Sequence, residues 1–251
     1  MRVIHYWRVA ALVLVMLVPL ALIMAVNPIA QDPLYHIFAD ARTCLGIPNF
    51  FNVASNLAFL LVGLAGLWLL RAGAGGGATL SWRVFFLGIA LVSVGSGYYH
   101  SVSNNATLVW DRLPMTVAFM ALFAAFVSEH VGARWERILL AAAVATGIAS
   151  IAWWHYTDDL RPYVWVQLAP FFAILLLLAV YPGRYTCRIY LLYGVAFYAL
   201  AKAVEFYDQE LYALTSLWLS GHSLKHLLAA VAALFVYLML RRRAALPTPG
   251  K

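Results

Sequence analysis

The chain has 251 residues, of which 65% are hydrophobic and only 11% charged, and its mean hydropathy is +0.84. That composition excludes a soluble domain of ordinary make-up and makes the lipid bilayer the solvent. The net charge of +7 does not indicate a nucleic-acid surface, because the basic residues are spread over short loops instead of gathering on one soluble face.

Apolar runs of roughly 18 or more residues, each long enough to cross about 30 Å of hydrocarbon, recur along the whole chain. In chain order they fall at about 9–26, 50–70, 82–100, 107–128, 135–154, 163–181, 188–204 and 213–240. The first follows Arg2 and Arg8 as a signal peptide would. Its apolar stretch exceeds a usual signal core, however, and Val26-Asn27-Pro28 is a poor cleavage site, so a retained helix is expected. Between the second and third runs, Gly73-Ala74-Gly75-Gly76-Gly77 reads as a flexible connector, and the tail 244–251 as disordered. No internal repeat is visible. Small residues such as Gly63 and Gly66, or Gly95 and Gly97, are suited to close helix packing.

Charges alternate with the spans. Arg2, Arg8, Arg71, Arg83, Arg134, Arg137, Arg184, Arg188 and Arg241 to Arg243 fall on one side. Asp32, Asp40, Asp158, Asp159 with Arg161, Glu205, Asp208 and Glu210 fall on the other. The positive-inside rule then places both termini in the cytoplasm, as an even number of spans requires. Cys44 and Cys187 lie on opposite sides and are expected to be free thiols.

Ionisable side chains inside a span are costly and therefore informative. At the end of the third run, Gly95-Ser96-Gly97-Tyr98-Tyr99-His100 puts Ser96 and His100 four residues apart on one helical face, and Asp111 follows at the start of the next run. In the last run, Ser220-Gly221-His222-Ser223-Leu224-Lys225-His226 places two imidazoles at i and i+4, a spacing able to ligate one metal ion. Each element alone has a plainer explanation, since a lone histidine can be a packing residue and a membrane serine commonly bonds back to its own backbone. Together, three histidines, a serine and a carboxylate in the outer half of one bundle match the needs of a catalytic zinc: three nitrogen ligands, an open position and a nearby base. His5, His36, His130 and His155 sit in tails, loops or at span ends and need no special role. Lys225 is expected to snorkel or to pair with Glu205 or Asp208.

These residues resemble the alkaline ceramidase family, within a superfamily of seven-helix membrane hydrolases that also includes the adiponectin-receptor-like proteins. The family motif of Gly-Ser, three residues, His, ten residues, Asp, one residue and Leu-Pro-Met is matched by Gly95-Ser96, His100, Asp111 and Leu113-Pro114-Met115. The late His-x-x-x-His is matched by His222 and His226, and the opening Asn-x-x-Ser-Asn by Asn52-Val53-Ala54-Ser55-Asn56. The resemblance implies an all-α polytopic membrane bundle with a seven-helix core at 49–243, preceded by one extra transmembrane helix and outer loop at 1–48. It implies zinc on His100, His222 and His226, with Asp111 orienting and deprotonating the attacking water. Ser96 would stabilise the oxyanion as the amide of a ceramide-like lipid is hydrolysed near the outer face. Two departures argue against calcium regulation: Arg112 replaces the family's usual acidic residue, and the acidic calcium loop is shortened to 40–49. Nothing in the sequence sets the oligomeric state, and the amide lipid could be one other than ceramide.

Two rival readings remain at this point, a haem protein with His100 and one late histidine as axial ligands, and a zinc-stabilised receptor or transporter without catalysis. Paired broken helices, the mark of many transporters, are not seen. Depth poses a difficulty for a shared metal. Counted from residue 213, His222 lies about 14 Å and His226 about 20 Å along the helix axis, while His100 ends its span. A shared ion therefore leads to the expectation that the third helix continues to about Asn104 and that the last helix starts above the hydrocarbon boundary.

Overall fold

The computed structural model describes residues 6–246, and Arg2 and His5 lie outside them. The chain forms α1 (Tyr6–Ala25), α2 (Phe50–Ser55), α3 (Leu57–Arg71), α4 (Thr79–Ser101), α5 (Asn105–Val131), α6 (Glu136–Thr157), α7 (Arg161–Val180), α8 (Ile189–Phe206), α9 (Asp208–Leu214) and α10 (Gly221–Arg242). With α2 and α3 counted as one segment, eight segments among the described residues are long and apolar enough to cross a membrane. The fold is a helical bundle, as the sequence leads one to expect.

α5 is the central helix, with 67% of its most apolar window buried, against 6% for α1. It packs on α4, α6 and α7, while α3 joins α4 to α10 and α8 lies along α10. α1 docks chiefly on α7, where the Trp165 indole donates to the Met16 carbonyl at 2.8 Å. α7 and α8 are chain neighbours whose backbones scarcely approach. The stacked rings of Phe171 and Tyr198, 4.9 Å apart, bridge the space between them.

Local chemistry explains the elements that carry the site. Asn104 starts α5 with a capping box, its side chain accepting from Thr107 N at 3.0 Å while the Thr107 hydroxyl accepts from Asn104 N at 3.2 Å. Pro114, lacking an N–H, frees the carbonyl of Trp110 one turn earlier. Gly95 of α4 packs directly onto that carbonyl, where a Cβ would not fit. α4 and α5 are therefore in close contact one residue before Ser96 and Asp111. Gly63 and Gly66 likewise leave no room for a Cβ against Ala90 and Phe86 of α4, whereas Gly97 meets only an ordinary contact with Val53.

Three expectations change. α4 does not continue to Asn104; it ends at Ser101, because Asn104 is committed to capping α5. The last long helix does not begin at 213. Residues 208–214 form the separate short helix α9, and Ser216 and Leu217 take left-handed φ angles of 55° and 65° before Ser220 caps α10. The glycine-rich connector is pinned, since Arg243 donates to the carbonyls of Ala74 and Gly75 and pairs at 2.9 Å with Glu129, both side chains being buried. Of the tail, Ala244–Leu246 pairs with the 184–186 loop, and 247–251 lie outside the described residues. Both cysteines are free.

Candidate metal centre

Because α10 starts at Gly221, His222 sits in its first turn and His226 in its second, level with His100 in the last turn of α4. The later start removes the depth difficulty, and no extension of α4 is needed. All three imidazoles are buried. One ligand nitrogen from each lies within 4.8 Å of the others, and the ring centroids are 4.8 to 5.0 Å apart.

The start of α10 is fixed from several directions. Ser220 Oγ accepts from Ser223 N at 3.1 Å, and Asp208 Oδ1 accepts from His222 N at 2.7 Å. Gly221 lies against the Val204 carbonyl and the Asp208 backbone with no space for a side chain. Ser223 Oγ donates to Asn52 Oδ1 at 2.7 Å, tying α10 to α2, and Asn49 Nδ2 donates to the His100 carbonyl at 2.8 Å, tying α2 to the end of α4.

The hydrogen bonds indicate where the lone pairs point. Ser55 Oγ donates to the Asn52 carbonyl at 3.1 Å, so at its 2.8 Å contact with His226 Nδ1 it must accept. That assignment puts the proton on Nδ1 of His226 and leaves Nε2 with the lone pair. His222 Nε2 lies 3.3 Å from His100 Nε2 and accepts from the Lys225 ammonium at 2.9 Å, so its one lone pair is engaged by Lys225, which must move aside for this nitrogen to bind an ion. His100 Nδ1 is buried without a partner. Two nitrogens about 2.0–2.1 Å from a tetrahedral zinc stand about 3.3 Å apart, which is the spacing of the His100 and His222 Nε2 atoms; the His226 nitrogen lies within 4.8 Å of both. The donor set and its spacing fit a single zinc ion.

Around this cluster lie Ser96 and Asp111, both buried, with the serine hydroxyl beside the carboxyl group. Lys225 Nζ also reaches Glu205 Oε1 at 2.9 Å, and Lys202 binds the other oxygen of that carboxylate. Glu205 thus holds Lys225 and Asp208 holds the start of α10, so both belong to the framework around the cluster. The pairing of Lys225 with Glu205 is found as expected; its contact with His222 was not anticipated.

The segment 26–49 crosses over the cluster as a strap. Tyr35 has its hydroxyl 3.4 Å from Glu205 Oε1, and burial, followed by the Glu205 charge, raises its pKa well above the usual value. His36, expected to stand free in its loop, binds the Tyr99 hydroxyl and Asn105 Oδ1, each at 2.9 Å. Arg112 donates to Gln31 Oε1 at 2.6 Å and lies over the Trp154 and Tyr163 rings.

A cavity with about 1120 Å³ of space between its walls, part of it open to the outside, leads away from the cluster. Ser96, Asp111, Lys225 and His226 line its polar end. On each of α4, α5 and α10 the lining then runs eleven residues deeper, to Phe85, Leu122 and Val236, which is about 16 Å of helix axis. Apart from the polar end, these walls are apolar. α7 and α8 form the remaining side, where Phe171 and Tyr198 both line the cavity.

Residues 43–246 match the sequence model of one protein family, described as Ceramidase. The chain belongs to the ceramidase family. No curated protein matches it. The ceramidase span takes in α2 to α10 and with them Ser96, His100, Asp111, His222 and His226. It leaves out α1 and most of the strap, so Tyr35 and Phe38 lie outside the family match while standing beside the histidine cluster.

Sequence reasoning offered Glu205 only as a partner for Lys225 and did not single out Ser55, Tyr35 or Phe38. Ser55 and Asn52 carried a signal, since both stand in the Asn-x-x-Ser-Asn segment. Tyr35 and Phe38 carried none, being aromatic residues in a loop.

Proposed function

We propose that the protein is a zinc-dependent hydrolase of the amide bond in a ceramide-like lipid. The observation that carries this reading is the convergence of three buried imidazoles, one of which, His226, lines the polar end of an apolar cavity together with Ser96 and Asp111. His100, His222 and His226 would hold the ion. When bound, zinc supplies a Lewis acid that lowers the pKa of water to about 7 and polarises an amide carbonyl.

The chain's own groups divide the remaining work. The acyl chain lies along the cavity between α4, α5 and α10, and the lipid enters from the bilayer between α7 and α8. Asp111 takes a proton from the attacking water and passes it to the leaving nitrogen as the C–N bond breaks, so that amide and water become carboxylic acid and amine, and the acid then gives its proton to the released amine. The Ser96 hydroxyl donates to the developing oxyanion, a contact worth about 3 kcal/mol in a dry site. Lys225, held by Glu205, adds a positive charge on the same side. With the Arg-bearing loops in the cytoplasm, both termini are cytoplasmic and the site faces the outer leaflet.

The test is fatty acid release, detected by mass spectrometry, from a panel of N-acylated lipids incubated with the purified protein. Release that stops on chelation and returns with zinc is expected, with no haem absorbance. A protein that binds zinc yet releases fatty acid from no amide lipid would overturn the reading.

A further inference from the structure

Residues 26–42 of the strap that crosses the site lie outside the ceramidase match, which begins at residue 43. It is fastened on both sides of the cluster. On the α6–α7 side, Gln31 N donates to Asp158 Oδ1 at 3.1 Å and Leu160 N donates to the Ile29 carbonyl at 2.8 Å. On the α8–α10 side, Ala39 N donates to Asp208 Oδ2 at 2.9 Å, the same carboxylate whose other oxygen caps His222. His36 binds α4 and α5 between these anchors.

Phe38 lies at the middle of this span. It is 7% exposed, and its ring centroid is 4.7 Å from those of both His100 and His222, edge-on to each. The cavity, by contrast, reaches the cluster at His226, Ser96 and Asp111, and neither His100 nor His222 lines it. The strap's ring thus covers the two histidines that the lipid cavity does not touch.

We propose that Phe38 is a positioning residue of the metal centre: it fixes the His100 and His222 rings and seals them from water on the strap side, so that the membrane-side cavity is the open route to the metal. This rests on the metal reading above and extends it to a segment that the family match does not include. An apolar ring in that place restricts solvent access and limits rotation of both ligands. The α1 helix and its strap then serve the reaction centre as well as anchoring the chain.

The experiment measures zinc loss from the intact, zinc-loaded protein to two chelators, one large and charged (EDTA) and one apolar and membrane-permeant (1,10-phenanthroline). Phe38→Ala is expected to speed loss to EDTA about tenfold or more, with a much smaller change for phenanthroline, and Phe38→Tyr to restore the slow EDTA rate. An unchanged EDTA rate in Phe38→Ala, or an equal acceleration with both reagents, would overturn the proposal. Carbethoxylation by diethyl pyrocarbonate provides an arm that needs no metal: His100 and His222 are protected in the wild-type protein and modified in Phe38→Ala. Equal modification of the two proteins would overturn the seal. A wild-type protein that takes up no zinc would count against the metal reading alone, leaving this arm to decide the seal.

Discussion

Removing the Ser55 hydroxyl tests the second layer of the site without touching a ligand. In Ser55→Ala, the buried Nδ1–H of His226 loses its acceptor at 2.8 Å. A buried donor left unpaired costs about 1–3 kcal/mol, and losing a ligand's outer partner typically costs 10–100-fold in metal affinity. Asn56 is the neighbour able to compensate, since its Nδ2 lies 3.5 Å from the same nitrogen and its Oδ1 has no partner. Turning that amide would bring Oδ1 towards the ring but would break the 2.7 Å bond from Nδ2 to the Asn52 carbonyl, so one bond is exchanged for another. The expected loss is therefore near the lower bound, about tenfold in zinc affinity, or about 1.4 kcal/mol. Zinc titration against a chromophoric competitor measures it, thermal melting controls for the fold, and Ser55→Thr keeps the affinity by keeping a hydroxyl. Unchanged zinc affinity in a properly folded Ser55→Ala would refute the assignment of the His226 tautomer and the route by which α2 supports the metal.

Gly221→Ala pushes a methyl group against the Val204 carbonyl and to within 2.8 Å of the Asp208 Cα, neither of which can swing aside. A loss of about 1–3 kcal/mol is expected, with reduced zinc occupancy because the turn bearing His222 must shift, and melting together with metal analysis checks both. Acid should loosen the strap. Hydrogen bonds from the Arg161 guanidinium hold the Asp159 carboxyl well below the usual carboxylate range, and although burial pushes Asp40 up, the hydrogen bonds from Arg42 outweigh it and leave it lowered. Groups lowered in the fold stabilise it fully above their unfolded pKa and lose that contribution as the pH falls through the folded value. The melting temperature should therefore hold from neutral pH to about 5 and fall below about 4. Asp159→Asn should flatten part of that fall, and an identical acid profile in the variant would exclude Asp159 as a source.

Much of this was legible in the sequence because polar residues in an apolar solvent stand out. His100, Ser96, Asp111, His222 and His226 are exceptions to long hydrophobic runs, and helical spacing puts them on shared faces. The start of the last helix was not legible. Leu214 to Leu219 reads as a continuing span, and only tertiary contacts, the Asp208 carboxylate against His222 N and the close fit at Gly221, place the break there. Glu205 and Asp208 look like interfacial acids in one dimension; their contacts with the strap come from residues more than 150 positions away in the chain. The tautomer at His226 depends on a serine 171 positions earlier, a pairing that no local pattern encodes.

The most direct test of the central claim is the separation of metal binding from turnover in one set of purified variants. His222→Ala and His226→Ala are expected to lose most of their zinc and all measurable amide hydrolysis. Asp111→Asn should keep about one zinc per chain while losing turnover by about 100-fold or more, as a missing general base dictates. Full zinc content in both histidine variants would contradict the metal centre, and equal zinc loss in all three would make Asp111 a ligand and leave the reaction without its proposed base.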